Sequence, residues 1–228
     1  MCEEKNLREN AQDTALKIIE VSEEGQCYNV IDYFLSDTIE YKSDYYEFLR
    51  AVNSATRFDE IHIHINCYGG DLDAAIQIYH SLVRSGAHIK ILVEGACMSA
   101  ATIIMMCAEE IEFCPWSSIM IHAYSGGDFG KYQELQSAAS FSREWFTKLI
   151  YEVYEDFLTK AEIAQVLGGK DFWMSADDAS ARFRKVFRKR EREYSKMRKK
   201  DEQIMKKINE IYTQQETEEN EEEKNTGQ

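Results

Sequence analysis

At 228 residues, 44% of them hydrophobic, the chain is long enough for one sizeable domain with a real core plus appendages. Its net charge of −14 argues against general nucleic-acid binding, and no apolar run approaches the ~20 residues a membrane-crossing helix needs. The opening MCEEKNLRENAQD is unlike a secretory leader, and the six cysteines form no CxxC pair, which suits a reduced, cytoplasmic protein.

Up to about Gly25 the chain is polar around one apolar patch, ALKIIEV, which reads as an initial strand or a docking segment. CYNVIDYFL predicts a strand, YYEFLRAVNSAT a helix, and IHIHI a buried strand. His62 and His64 alternate on that strand and share a face. With no acidic or cysteine partner near them in sequence, core or interface packing is the expectation, and no metal is required. The loop NCYGG leads into DLDAAIQIYHSLVRSG, an amphipathic helix with Asp71 at its positive N-terminus and Gly86 at its end. HIKILVEG predicts a strand, MSAATIIMMCA a buried helix, and IEFC and SIMIHA two more strands.

Strands alternating with helices imply a layered α/β fold with crossover connections. Pro115 is the one proline and no Gly/Ser-rich linker interrupts residues 26–180, so they read as one domain after an N-terminal segment, 1–25. Past SGGDFG, a helical pattern runs from Lys131 to about Leu158, with Leu135, Trp145, Phe146, Leu149, Val153 and Phe157 at helical spacing. Such a helix would span about 42 Å, more than a compact domain needs, and is expected to project into a subunit contact. DFWMSADDASARF then predicts a short strand leading into a helix. Residues 181–213 read as a basic amphipathic helical extension, and the acidic 214–228, which lacks large apolar side chains, as disordered.

Four short pieces carry chemistry. Ser99, in EGACMSAATIIMM, stands where a strand gives way to a helix, as either an ordinary N-cap or a nucleophile. His122 ends the run SIMIHA, and Asp171 precedes FWMSA, with Asp177 and Asp178 as rival carboxylates. NCYGG supplies two glycines whose backbone can approach a ligand closely. Each piece has a bland structural explanation. Together they are the parts that activate a weak nucleophile: an imidazole removes the hydroxyl proton and a carboxylate orients the imidazole.

In that order and spacing the chain resembles the ClpP family, the proteolytic subunits of the ATP-dependent Clp protease, over residues 26–180. The family's INSPGG loop looks like Ile65-Asn66-Cys67-Tyr68-Gly69-Gly70. Its G-x-A-A-S turn is similar to Gly95-Ala96-Cys97-Met98-Ser99, its RIMIHQP strand to Ser118-Ile119-Met120-Ile121-His122, and its aspartate before F-[ML]-S-A-x-E-A to Asp171 before Trp173–Ala179.

The resemblance implies a ClpP/crotonase-like spiral of β-α units with a long projecting handle helix, and here a charged helical C-terminal extension. It implies a triad of Ser99, His122 and Asp171, an oxyanion hole from the Gly69 and Ala100 N–H groups, and a groove formed by Gly70, Ser125, Gly126 and Gly127 pairing with an extended peptide. No cofactor is implied. The implied partners are unfolded polypeptide, further copies of the chain in seven-membered rings that stack into a tetradecamer, and an AAA+ unfoldase.

Several positions depart from the pattern. Tyr68 replaces the loop proline, Ala100-Ala101 the usual Met-Gly, and Ala123-Tyr124 the Gln-Pro after the histidine. Arg182-Phe183-Arg184-Lys185 begins a charged extension where the family ends Tyr-Gly-Leu-Val/Ile-Asp. The alternatives are a virus-borne relative processing capsid or scaffold proteins, a catalytically silent ring subunit, an acyl-CoA enzyme of the crotonase type, and a peptidase with Lys131 as base.

Overall fold

The computed structural model of the chain describes residues 15–23, 26–126 and 129–226. The chain divides into two compact units, Met1–Arg184 and Lys185–Gln228.

In the first unit β1 (Leu16–Glu23) pairs antiparallel with β2 (Gln26–Ile39), so the ALKIIEV patch is an edge strand. Helix α1 (Tyr46–Ser54) follows and buries Phe48, Leu49, Ala51 and Val52. Then come β3 (Glu60–Gly70), α2 (Leu72–Arg84), β4 (His88–Met98) and the short α3 (Ala100–Met105). Strands β5 (Glu110–Phe113) and β6 (Ser118–Ile121) precede α4 (Tyr132–Tyr154), α5 (Lys160–Leu167) and β7 (Phe172–Ser175). Helix α6 runs Ala176–Thr226. The start of α2 follows from sequence, since Asp71 Oδ1 accepts the Ala74 N–H at 2.6 Å.

The strands form one seven-stranded sheet in the order β1-β2-β3-β4-β6-β7, with β5 also pairing β4. Strands β2, β3 and β4 are parallel. Their alternate residues Ile31, Tyr33, Leu35, Ile61, Ile63, Ile65, Ile89, Ile91 and Val93 make the buried face. β4 changes neighbour along its length: Lys90–Val93 pair with β5, and Ala96–Met98 pair with Ser118–Met120 of β6.

Four findings differ from the sequence reading. NCYGG is not a loop, because β3 continues through it and stays paired with β2 as far as Gly70 opposite Ile39. His62 and His64 do share a face, but acids stand beside both, Glu60 from the same strand and Asp32 and Glu94 from neighbouring ones. His62 lies 2.9 Å from Glu60 Oε2 and 3.3 Å from Asp32 Oδ1, and His64 lies 2.9 Å from Glu94 Oε1.

The long helical pattern breaks at Tyr154, and α5 is a separate helix. Its Thr159–Glu162 capping box starts it: Thr159 N–H donates to Glu162 Oε2 at 2.7 Å and Glu162 N–H to Thr159 Oγ1 at 3.3 Å. Finally, α6 stays helical to Thr226, across the segment whose composition predicts disorder. Glutamate, glutamine and lysine are good helix formers, and nothing from 185 to 225 is glycine or proline.

Arg182 and Phe183 belong to the first unit rather than to the extension. The Phe183 ring packs against Phe113 and Phe157, with centroids 5.9 and 5.0 Å apart. The second unit is helical over its described residues, with exposed Tyr194, Met197 and Ile204 and i,i+4 pairs Lys189–Glu193 and Arg198–Glu202.

Candidate active site

Strand register brings the three sequence-predicted side chains to one end of the sheet. Met98 pairs with Met120 across parallel β4 and β6, so Ser99, one residue on, and His122, two residues on, leave those strands side by side. β7 runs antiparallel to β6 with Phe172 opposite Ile121, so Asp171 and His122 occupy the next positions in that register. In open α/β sheets this carboxyl end of the strands is the usual place for a ligand.

Ser99 is not a conventional cap. As the residue before α3 it makes no side-chain hydrogen bond to the helix, and its backbone holds φ 54° and ψ −126°. A non-glycine residue there costs about 1–3 kcal/mol and persists only where neighbours enforce it. The neighbours are Met120, whose carbonyl accepts the Ser99 N–H at 2.8 Å, and Thr102, whose N–H donates to Ser99 O at 2.9 Å. The strain turns the hydroxyl away from the helix and toward the imidazole, leaving His122 Nε2 and Ser99 Oγ 2.6 Å apart.

The glycine end of β3 packs directly beneath this turn. Between the pairs Ile65–Val93 and Cys67–Cys97, β4 carries two more residues than β3, and the bulge is filled by Asn66. Its Oδ1 accepts the Ala96 N–H at 3.0 Å and lies so close to Gly95 that a methyl group there would meet it at 2.3 Å. Cys67 and Cys97 are both fully buried, and burial raises both thiols above their ordinary range, so they stay protonated packing groups.

A cleft opens beside Ser99, bordered by Gly70, Ala100, His122 and Ser125, with Leu72, Ile103, Ile121, Tyr124, Phe146 and Ile150 among its lining residues. It is a seat of mixed apolar and polar lining next to a serine–imidazole contact.

The remaining sequence-predicted residues fall as follows. Ala100 borders the cleft, whereas Gly69 does not: its N–H lies 3.4 Å from Cys67 Sγ, and Gly70 takes the bordering position. Asp171 is exposed and, among the described residues, makes no hydrogen bond or ion pair with His122. Of its rivals, Asp178 is committed to the start of α6, with Ser175 Oγ donating to its Oδ2 at 2.7 Å. Residues 122–126 form no strand, since serine and glycine carry little strand preference of their own; Gly127 lies outside the described residues. Lys131 has an 88% exposed side chain 4.0 Å from Glu134 and does not line the cleft. Among the described residues no cluster of three His, Cys, Asp or Glu could hold a metal ion, and no helix is long and apolar enough to cross a membrane.

Asn66, Thr102, Phe146, Ile150 and Tyr154 were not singled out from sequence as site residues. The last three recur every four residues along α4, a spacing visible in the chain but indistinguishable there from ordinary core.

Fold and turn together define an α/β protein of the class that sets a serine on a strained strand-to-helix elbow against a histidine. Residues 26–182 match the family described as Clp protease, and the chain belongs to that family. Over 135 residues it is 27% identical to the ATP-dependent Clp protease proteolytic subunit of Deinococcus radiodurans, covering 58% of this chain and 65% of that one; it thus spans just under two thirds of that relative's length. A ClpP1 mutant from Listeria monocytogenes superposes with a TM-score of 0.53 at 24% identity, covering 65% of this chain and 85% of the other, which shows a ClpP-like fold.

Proposed function

We propose that the chain is a serine endopeptidase that cleaves unfolded or flexible polypeptide. The observation that carries this reading is the 2.6 Å contact between Ser99 Oγ and His122 Nε2, made by a serine held in a strained turn and excused from capping. His122 Nε2 accepts the hydroxyl proton as Ser99 Oγ bonds to the substrate carbonyl carbon, then returns it to the departing amine. A water repeats the cycle to release the acyl group.

Proton acceptance at Nε2 needs the imidazole proton on Nδ1, and Asp171, adjacent in strand register, is the carboxylate that would hold it there. The developing oxyanion is met by the Ala100 N–H and by the glycine end of β3. Gly70 suits that role better than Gly69, because it borders the cleft while the Gly69 N–H is turned to Cys67 Sγ.

Membership of the Clp protease family supports action inside a ring of copies fed by an AAA+ unfoldase. No disulfide joins the described cysteines, which suits the reducing cytoplasm. An acyl-CoA enzyme of the crotonase type would leave the Ser99–His122 contact without a task.

Labelling with a fluorophosphonate probe, read by native mass, tests the proposal. One adduct per chain on an oligomer, lost in Ser99→Ala with assembly intact, is the expected result; absence of any adduct on the wild-type chain rejects it.

A further inference from the structure

The carbonyl of Ser99 accepts two hydrogen bonds from one residue: the Thr102 N–H at 2.9 Å and the Thr102 hydroxyl at 2.6 Å. That hydroxyl is also 2.7 Å from the phenol oxygen of Tyr154, which sits on the last turn of α4 and is 1% exposed. Either oxygen of that pair could donate taken alone, but the second contact decides it. A carbonyl only accepts, so the single Thr102 hydroxyl proton goes to Ser99 O. Tyr154 must then donate to Thr102. The protons run in one direction, from Tyr154 through Thr102 to the backbone of the serine.

We propose that Thr102 and Tyr154 are positioning residues that hold the nucleophile turn and tie it to α4. The inference rests on reading Ser99 as the nucleophile. Thr102 is fully buried in an apolar helix, Ala-Ala-Thr-Ile-Ile-Met, where valine would fill the same volume without bringing a hydroxyl out of water. Its hydroxyl gains its partners only from a main-chain oxygen in the strained turn and from a tyrosine 52 residues along the chain. Burial raises the Tyr154 phenol well above its ordinary value, so it remains a donor throughout the working pH range. Ile150 and Phe146, one and two turns before Tyr154 on α4, line the cleft. A side chain seated in the cleft therefore presses on the same helix that steadies the serine.

The test compares the full-length wild type with Thr102→Val, Thr102→Ser and Tyr154→Phe. Two quantities are read: the second-order rate of fluorophosphonate labelling, and amide hydrogen exchange across residues 95–105. Thr102→Val and Tyr154→Phe should label about tenfold more slowly, the rate equivalent of one hydrogen bond, with faster exchange at the turn. Thr102→Ser, which keeps the hydroxyl, should restore both. Equal labelling and unchanged exchange in Thr102→Val overturns the proposal. Failure of the wild type to label rejects the nucleophile reading instead, and the exchange data then decide alone whether the pair holds the turn.

Discussion

Ser99 Cβ occupies the place that any side chain on Gly69 would need: a methyl group there would lie 2.6 Å from Ser99 Cβ, 2.7 Å from Met98 O and 3.0 Å from Ala100 N. Gly69 also holds φ +93°, which L side chains rarely adopt. Two of the three obstructing atoms are backbone, so relief must move the Ser99 turn itself. Gly69→Ala should lower kcat/KM for peptide hydrolysis at least 100-fold, on the order of losing an oxyanion donor. Gly169→Ala is the control, since φ is +89° there but nothing lies within 4 Å. It should lose about 1 kcal/mol in urea denaturation and keep its activity. Equal activity in the two variants would show that the end of β3 does not support the serine.

His122→Ala should reduce acylation by Ser99 about 10⁶-fold, the usual cost of losing the base of such a pair. Lys131→Ala should change it less than twofold, because the Lys131 side chain points to solvent beside Glu134. Burst-phase kinetics with an ester substrate separates acylation from later steps. A reversed pattern would establish the lysine-base alternative.

Asp171→Asn tests the third group. Register sets Asp171 beside His122, although no hydrogen bond joins them in the single chain. If Asp171 fixes the imidazole tautomer, the amide should lower kcat about 10³–10⁴-fold with KM little changed. Asp178→Asn should instead leave kcat unaffected and loosen the start of α6, where Asp178 meets Ser175. Loss of kcat in Asp178→Asn alone would transfer the role.

Much of this was legible in the chain because it depends on local periodicity and short motifs. IHIHI, HIKILV and SIMI are strands, and DLDAAIQIYHSLVR is a helix capped by its own first aspartate. What sequence could not supply was lateral information. Beside His62 and His64, Glu60 is a sequence neighbour, but Asp32 and Glu94 arrive from neighbouring strands and only strand order reveals those two. Thr102 lies in an apolar helical run and looks like filler until Tyr154, 52 residues away, is brought to its hydroxyl. The end of the domain was misplaced for a related reason. Arg182 and Phe183 begin a charged run in one dimension, yet their partners, Glu162 and Phe157, lie on earlier elements.

Glu162 carries the clearest pH dependence. Its carboxylate accepts both Arg182 guanidinium branches, at 2.7 and 3.0 Å, as well as the Thr159 N–H and hydroxyl. The Arg182 hydrogen bond holds its pKa down to about 2, against the partial opposition of burial, from an ordinary 4.5. A folded-state pKa below the unfolded one gives stability that is complete above pH 4.5 and is lost as pH falls toward 2. Asp59 acts in the same direction. Burial alone would raise its carboxyl, but hydrogen bonds from Thr56 and Asn29 outweigh it and lower the pKa from 3.8. The urea midpoint should therefore fall as pH drops from 4.5 toward about 2. Glu162→Gln should start about 1.5–3 kcal/mol less stable at pH 7 and show a shallower fall. Parallel curves for the two proteins would mean that the Glu162–Arg182 pair, which fastens α5 to the start of α6, does not govern acid stability.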